Sequence, residues 1–258
     1  MKSVRENPLR FASINIERNK HLDRVIRFLK DFKPDILCME EILECDLPLF
    51  AKELGTQYIF IPQAKVRTSL FDESTPLTTE GQAIFATVPL TNVRTFYYKG
   101  NEKTIPYHSK NEIGEETANF LLLLADAVIF GVTYTFITTH FIWTPNGQAN
   151  EEQRACLRKI ITFLPTVPHF VLAGDWNAPR GREIFDSLAS RYKDNIPAHY
   201  ITSIDKNLHK AGDLGLMVDG LFSTPEYEIS DVKLTDGVSD HTAVTALIYR
   251  RTPYQYTN

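Results

Sequence analysis

The chain has only three cysteines, Cys38, Cys45 and Cys156, and no two of them form a CxxC pair. Three thiols cannot all pair with one another. That argues against a disulfide framework or a thiolate zinc site, and for reduced thiols inside a cell. A long hydrophobic run is also missing: the most apolar stretch, FLLLLADAVIFGV, is broken by Asp126, so no membrane span is expected. The opening MKSVRENPLR lacks the apolar centre of a secretory signal, and a cytoplasmic location is the expectation. Neither sign of charge is in large excess. With 28 Lys+Arg against 32 Asp+Glu the net charge is −4, which excludes a general attraction to nucleic acid and requires any polyanion site to be a local patch. No linker, low-complexity tract or internal repeat divides the sequence, so a single domain over residues 1–258 and a monomer are expected.

What is there is 43% hydrophobic and 23% charged, enough apolar material for a sizeable core. FASINI alternates as a strand does, with Ala12, Ile14 and Ile16 on one face and Ser13 and Asn15 on the other. In NKHLDRVIRFLKDFKP, Leu22, Val25, Ile26 and Leu29 recur at helical spacing, with Asn19 placed to cap the start and Pro34 to stop it. DILCMEEI reads as a strand, apolar on both faces until Glu40 and Glu41, which completes a strand–helix–strand crossover. IFIPQAKVR and GQAIFATVP read as strands around a long loop, and the polar residues 94–118 as a surface excursion. NFLLLLAD and VTYTFITTH pair about a turn near Gly131. NEEQRACLRKIITFLP is an amphipathic helix whose Asn150 and Gln153 have capping-box spacing. HFVLAGD reads as a buried strand, GREIFDSLASRY as a short helix, and MVDGLF, EISDVKL and TAVTALIYR as the last strands.

Polar groups recur at the ends of these apolar strands: Asn15, Glu41, His140, Asp175 with Asn177, and Asp240 with His241. In LAGDWNAP, Asp175 and Asn177 sit two apart, so an extended chain would project them the same way, with Trp176 facing the core. Turn formation is the plain alternative. Carboxylates and carboxamides are costly to cluster unless a cation joins them, and oxygen donors suit Mg²⁺ or Mn²⁺. The histidines then serve as hydrogen-bond donors or proton carriers.

Taken in order, SINI, DILCMEEI, TEGQAIFAT, TTHF, LAGDWNAP, MVDGLF and VSDHTAV resemble the endonuclease/exonuclease/phosphatase superfamily, which includes deoxyribonuclease I-like enzymes and a branch of sphingomyelinases. The match runs from about Phe11 to Ile248. The resemblance implies an α/β fold, a four-layer sandwich of two mixed β-sheets packed face to face with helices outside. It also implies metal-dependent hydrolysis of a phosphate ester. By the same resemblance Glu41 is the metal-binding acid, beside Asn15 and Asp240, the choice of Glu41 over Glu40 resting on strand register. Asp175 orients or deprotonates the attacking water, and Asn177, His241 and His140 hold the phosphate. Asp219 is expected to pair with His241 and Glu80 with His140, fixing each ring. The expected activity is that of a nuclease-type phosphodiesterase on nucleic acid. A sphingomyelinase-like enzyme, an inositol-phosphate phosphatase and a non-catalytic binding protein on the same fold are the alternatives. Arg180 and Arg182 are candidates for a second phosphate or an ordinary helix start, and Trp143 for base stacking or loop packing.

Overall fold

Alternation and burial build two mixed sheets, described in a computed structural model over residues 8–68, 74–110, 116–129 and 131–251. The first sheet comprises β1 (Leu9–Asn15), β2 (Ile36–Leu43), β3 (Gln57–Arg67), β4 (Leu77–Ala86), β13 (Tyr227–Thr235) and β14 (Ala243–Arg250). Their order is β13-β14-β1-β2-β4-β3. The second comprises β5 (Leu90–Lys99), β8 (Phe120–Ile129), β9 (Val132–His140), β10 (Val171–Asp175), β11 (Lys193–Asp194) and β12 (Asp219–Ser223). Its order is β11-β12-β10-β9-β8-β5. A small ribbon, β6 (Ser109–Lys110) and β7 (Glu116–Thr117), stands apart from both.

Each sheet holds one parallel pair, β1 with β2 and β9 with β10, and every other pairing is antiparallel. Parallel neighbours need a crossover, supplied by α1 (Leu22–Phe32) in the first sheet and α3 (Glu151–Phe163) in the second. The shorter helices are α2 (Leu47–Leu54) and α4 (Glu183–Ala189). One apolar cluster joins the inner faces of both sheets, among them Phe11, Cys38, Leu123, Phe136 and Ala173. A second packs α3 and α4 on the second sheet, and a third packs α1 and α2 on the first. Helices, sheet, sheet, helices: these are the four layers expected.

The helical face of β1 is Ala12, Ile14 and Ile16, so Ser13 and Asn15 share the side of Phe11 and turn inward between the sheets. Three local expectations change. Asn19 does not cap α1, which starts after His21 without a side-chain cap, and its amide donates instead to the Thr68 carbonyl at 3.1 Å. The first residues of the 94–118 excursion belong to β5, paired residue for residue with β8 (Thr95 opposite Leu123, Phe96 opposite Leu122). An exposed sheet edge accepts any backbone that reaches it, and Phe96 stacks on Phe163 of α3 at 4.1 Å. Helix α2 was not anticipated because eight residues are too few to show a period. Residues 69–73 of the expected loop and 111–115 of the excursion lie outside the described residues.

Candidate active site

The carboxyl ends of the two parallel pairs meet at one end of the sandwich, where open α/β sheets place their ligands. Asn15 ends β1, and in the second sheet His140, Asp175 and Asp219 lie side by side in register. Gly174 allows this close pairing: its φ is +136°, and a Cβ there would sit 2.0 Å from the Thr139 carbonyl oxygen.

Asn15 bridges the sheets. Its amide nitrogen donates to Glu41 Oε1 at 3.0 Å and to Asp175 Oδ2 at 3.2 Å, while its oxygen accepts the Glu17 N–H at 3.1 Å. A backbone N–H can only donate, so the oxygen of Asn15 faces away from the carboxylates. In this arrangement Asn15 orients Glu41 and Asp175. Around Asp175 Oδ2, His140 Nε2 stands at 3.6 Å and His241 Nε2 at 3.7 Å. Asp219 Oδ2 lies 2.8 Å from His241 Nδ1, so the expected acid–histidine contact is present.

Strand alternation predicted that Glu40 and Glu41 would face opposite ways, and here the backbone differs. Register shifts between Met39 and Ile42, and Glu41 sits at φ +54°. Both carboxylates therefore lie on the inter-sheet side. Glu41 is at the rim, 3.7 Å from His140 Nε2. Glu40 lies beneath, fully buried, accepting from the Thr138 hydroxyl with its other oxygen unpartnered. Burial alone would raise the Glu41 pKa, but His140, the Asn15 bond and Arg18 hold it down at about 2. For Glu40 burial wins: the Thr138 bond and His241 oppose it, Asp219 and Asp175 add to it, and the pKa is pushed up to about 8.

That contrast predicts a pH effect. A carboxyl that keeps its proton to about pH 8 when folded, but loses it near 4.5 when unfolded, stabilises the fold at low pH. The contribution is lost as pH rises through that window, at up to about 1.4 kcal/mol per pH unit. Glu40→Gln should therefore raise stability at pH 8 more than at pH 5, measured by urea unfolding at both. Equal shifts at the two pH values would mean that Glu40 is ionised in the fold.

Two further expectations are corrected. Glu80 does not pair with His140. Its carboxylate is taken by the guanidinium of Arg18, also buried, whose backbone N–H donates to the Glu41 carbonyl at 3.1 Å. A full positive charge outcompetes an imidazole for a buried carboxylate. Arg18 escaped notice because its signal is a left-handed turn, φ +61°, with no side-chain motif. Asn177 does not continue the strand alternation either. β10 stops at Asp175, whose Oδ1 accepts the Asn177 N–H at 2.7 Å, and Asn177 takes φ +48°. Its amide donates to the Phe141 carbonyl at 2.9 Å and has one hydrogen left over. LAGDWNAP is thus a turn and a site at once. Trp176 is fully buried against Phe141 and Phe222, as expected. Arg180 is committed to Asp194 at 2.7 Å, and Arg182 to the Asn146 carbonyl.

Asp240, mostly buried, accepts from the Ser239 hydroxyl at 3.2 Å. Burial raises its pKa to about 7, His241 opposing and Glu41 and Glu17 adding to the rise. Two hard carboxylates that repel each other, Glu41 and Asp240, form a donor set that fits Mg²⁺ or Mn²⁺. Asp175, Asp219 and His241 offer a second grouping, with ligand atoms within 4.8 Å of one another. Its His241 Nδ1 is already engaged by Asp219, which suits proton holding better than metal binding. Burial would lower the His241 pKa, but Asp219 and Asp175 outweigh it and raise it well above the ordinary value. Asp175 is itself raised, by burial first and by Asp219, against the pull of His241 and His140.

Solved structures with this architecture include the catalytic domain of human Nocturnin with a bound sulfate anion, at 16% identity and TM-score 0.72 over 96% of this chain and 95% of that one. A mannosyl-6-phosphatase from Bacteroides thetaiotaomicron matches at 13% identity and TM-score 0.66, over 93% of this chain and 99% of that one. ANGEL2, a 2′,3′-cyclic phosphatase in complex with adenosine-2′,3′-vanadate, matches at 13% and 0.68, over 96% and 97%. These identities speak for the fold alone. A search of curated protein sequences finds no match. The sequence model of the endonuclease/exonuclease/phosphatase family matches residues 12–253. The chain belongs to that family, whose members are phosphoric ester hydrolases.

Proposed function

We propose that the protein is a divalent-metal-dependent phosphodiesterase of the nuclease type, acting by single displacement with an activated water. The observation that carries this is the setting of Asp175 Oδ2, held by Asn15 at 3.2 Å with two histidine nitrogens at 3.6 and 3.7 Å. One carboxylate oxygen facing two imidazoles at the junction of two sheets is arranged to bind a water and an anion together. A divalent cation on Glu41 and Asp240 would polarise a phosphoryl oxygen and stabilise the leaving oxygen.

The chain's own groups do the rest. Asp175 accepts the water's proton, and its raised pKa makes it a stronger base than an ordinary aspartate. His241 is kept protonated by Asp219 and donates from Nε2 to a non-bridging oxygen as charge builds there. His140 and the remaining amide hydrogen of Asn177 donate to the same group. Arg18, tied to Glu80, holds the turn that presents Glu41.

A substrate panel tests the assignment. With Mg²⁺ or Mn²⁺ the protein should hydrolyse bis-p-nitrophenyl phosphate and single-stranded oligonucleotides, and EDTA should abolish both activities. Turnover of sphingomyelin or an inositol phosphate in their place would reassign the substrate. No turnover of any with either metal would make the protein a binding module.

A further inference from the structure

Two segments adjoin the site. One is the segment after β1, where the Glu17 carboxylate is taken by Lys20 and by His21 Nε2, the latter at 3.2 Å. The other is the turn from Asp205 to Gly212, which is seated on the edge of the site. Asp205 N–H donates to the Asp240 carbonyl at 2.8 Å, Thr242 N–H to the Ser203 carbonyl at 2.8 Å, and Ile204 is bridge-paired with His241. The Asp205 carboxylate, only 2% exposed, accepts the N–H groups of Asn207 at 2.8 Å and Leu208 at 3.1 Å. The turn is therefore braced, and His209 N–H closes it onto the Asp205 carbonyl at 2.8 Å.

His209 is the group this brace presents. Its Nδ1 accepts the Ala211 N–H at 3.1 Å, so in the neutral ring the proton sits on Nε2, which has no partner among the described residues. The ring lies near enough to His241, Glu17, Lys210 and Lys20 to feel their charges. Lys210 is exposed and makes no ion pair among the described residues, and Lys206 on the same turn is alike in both respects. Glu17 is neutralised by its own partners. This turn therefore presents an N–H donor and two lysines that make no ion pair among the described residues, beside the carboxylates of the site. The mechanism above uses none of them.

We infer that His209, with Lys210 beside it, receives a second phosphate of the substrate, the neighbour of the scissile ester along a nucleotide strand. This rests on the phosphodiesterase reading of the site and names what its substrate must carry. A phosphate beyond the reacting one is bound by donors and positive charge without entering the chemistry.

The test uses one substrate that lacks a second phosphate, bis-p-nitrophenyl phosphate, and one that has it, the trinucleotide pTpTpT. The double variant His209→Ala/Lys210→Ala should hydrolyse the first with kcat and KM within about twofold of wild type. On pTpTpT its KM should rise about ten- to hundredfold with kcat little changed, the loss of one or two charge-assisted contacts. His209→Gln, which keeps an N–H donor, should recover part of that loss. Equal effects on both substrates would mean a structural role and overturn the subsite. Fluorescence anisotropy of labelled pTpTpT, read in an Asp175→Asn background with Mg²⁺, separates this from the activity itself. There the His209→Ala/Lys210→Ala change should weaken binding by the same factor, even if the wild type cleaves no diester, and an unchanged Kd overturns the inference. Stronger competition by inositol 1,4-bisphosphate than by unlabelled pTpTpT would overturn the assignment to a nucleotide strand.

Discussion

Asp175→Asn should leave the fold and substrate binding close to wild type while turnover falls by about 10²–10⁴-fold, the usual worth of general-base assistance. The amide keeps the size of the carboxylate and one oxygen, so Asp175 Oδ1 can still accept the Asn177 N–H that closes the turn. What it loses is a base. With that oxygen kept on Asn177, the new amide sets its NH2 where Oδ2 stood, against the Asn15 nitrogen that donates to Oδ2 at 3.2 Å, which leaves no acceptor for the water. Both effects strike kcat, and kcat/KM should fall with it because the interaction is made only in the transition state. Burial already holds the Asp175 pKa up, so the acid limb of the wild-type pH profile should lie above the ordinary aspartate range. Steady-state kinetics on bis-p-nitrophenyl phosphate, with thermal melting as a control on folding, decides the matter. Turnover near wild type would return LAGDWNAP to being a turn and nothing more.

The second large effect concerns Glu41. Glu41→Gln should weaken Mn²⁺ binding by at least about 100-fold, taking as a floor the upper end of what supporting residues around a metal contribute. Glu40→Gln should leave it nearly unchanged. The two side chains are neighbours in sequence but differ in setting. Glu41 stays ionised, its pKa about 2, at the rim beside Asn15 and His140. Glu40 is neutral below about pH 8 and spent on Thr138. Isothermal titration of Mn²⁺ into both variants measures the difference directly. If Glu40→Gln proved the damaging change, the cation would have to sit deeper between the sheets than Glu41 and Asp240 place it. EDTA should reproduce the Glu41→Gln phenotype in wild type, and excess Mn²⁺ should rescue the variant in part.

Much of this was legible along the chain. Alternation in FASINI put Asn15 opposite the helical face of β1, and β1 pairs as that pattern requires. The Asn150 to Gln153 spacing marked the start of α3, where the Asn150 side chain does accept the Gln153 N–H at 2.8 Å. Apolar strands ending in Asn15, His140 and Asp175 announced a cluster, because such ends are too costly to bury singly. Those signals are local: they follow from the two-residue period of a strand and the 3.6-residue period of a helix, both written in neighbouring residues.

Which groups touch is a different matter, and there tertiary structure decided. Asn15 meets Asp175 across 160 positions of sequence, and Glu40 meets Thr138 across 98. No period spans such distances. A bulge between Met39 and Ile42 turned both glutamates to one side, against the alternation that assigned them to opposite faces. Arg18, unremarkable in the sequence, captured Glu80 from the histidine expected to hold it. The pairing of buried charges depends on which opposite charge the packed sheets bring nearest, and that distance exists only once the two sheets have closed on each other.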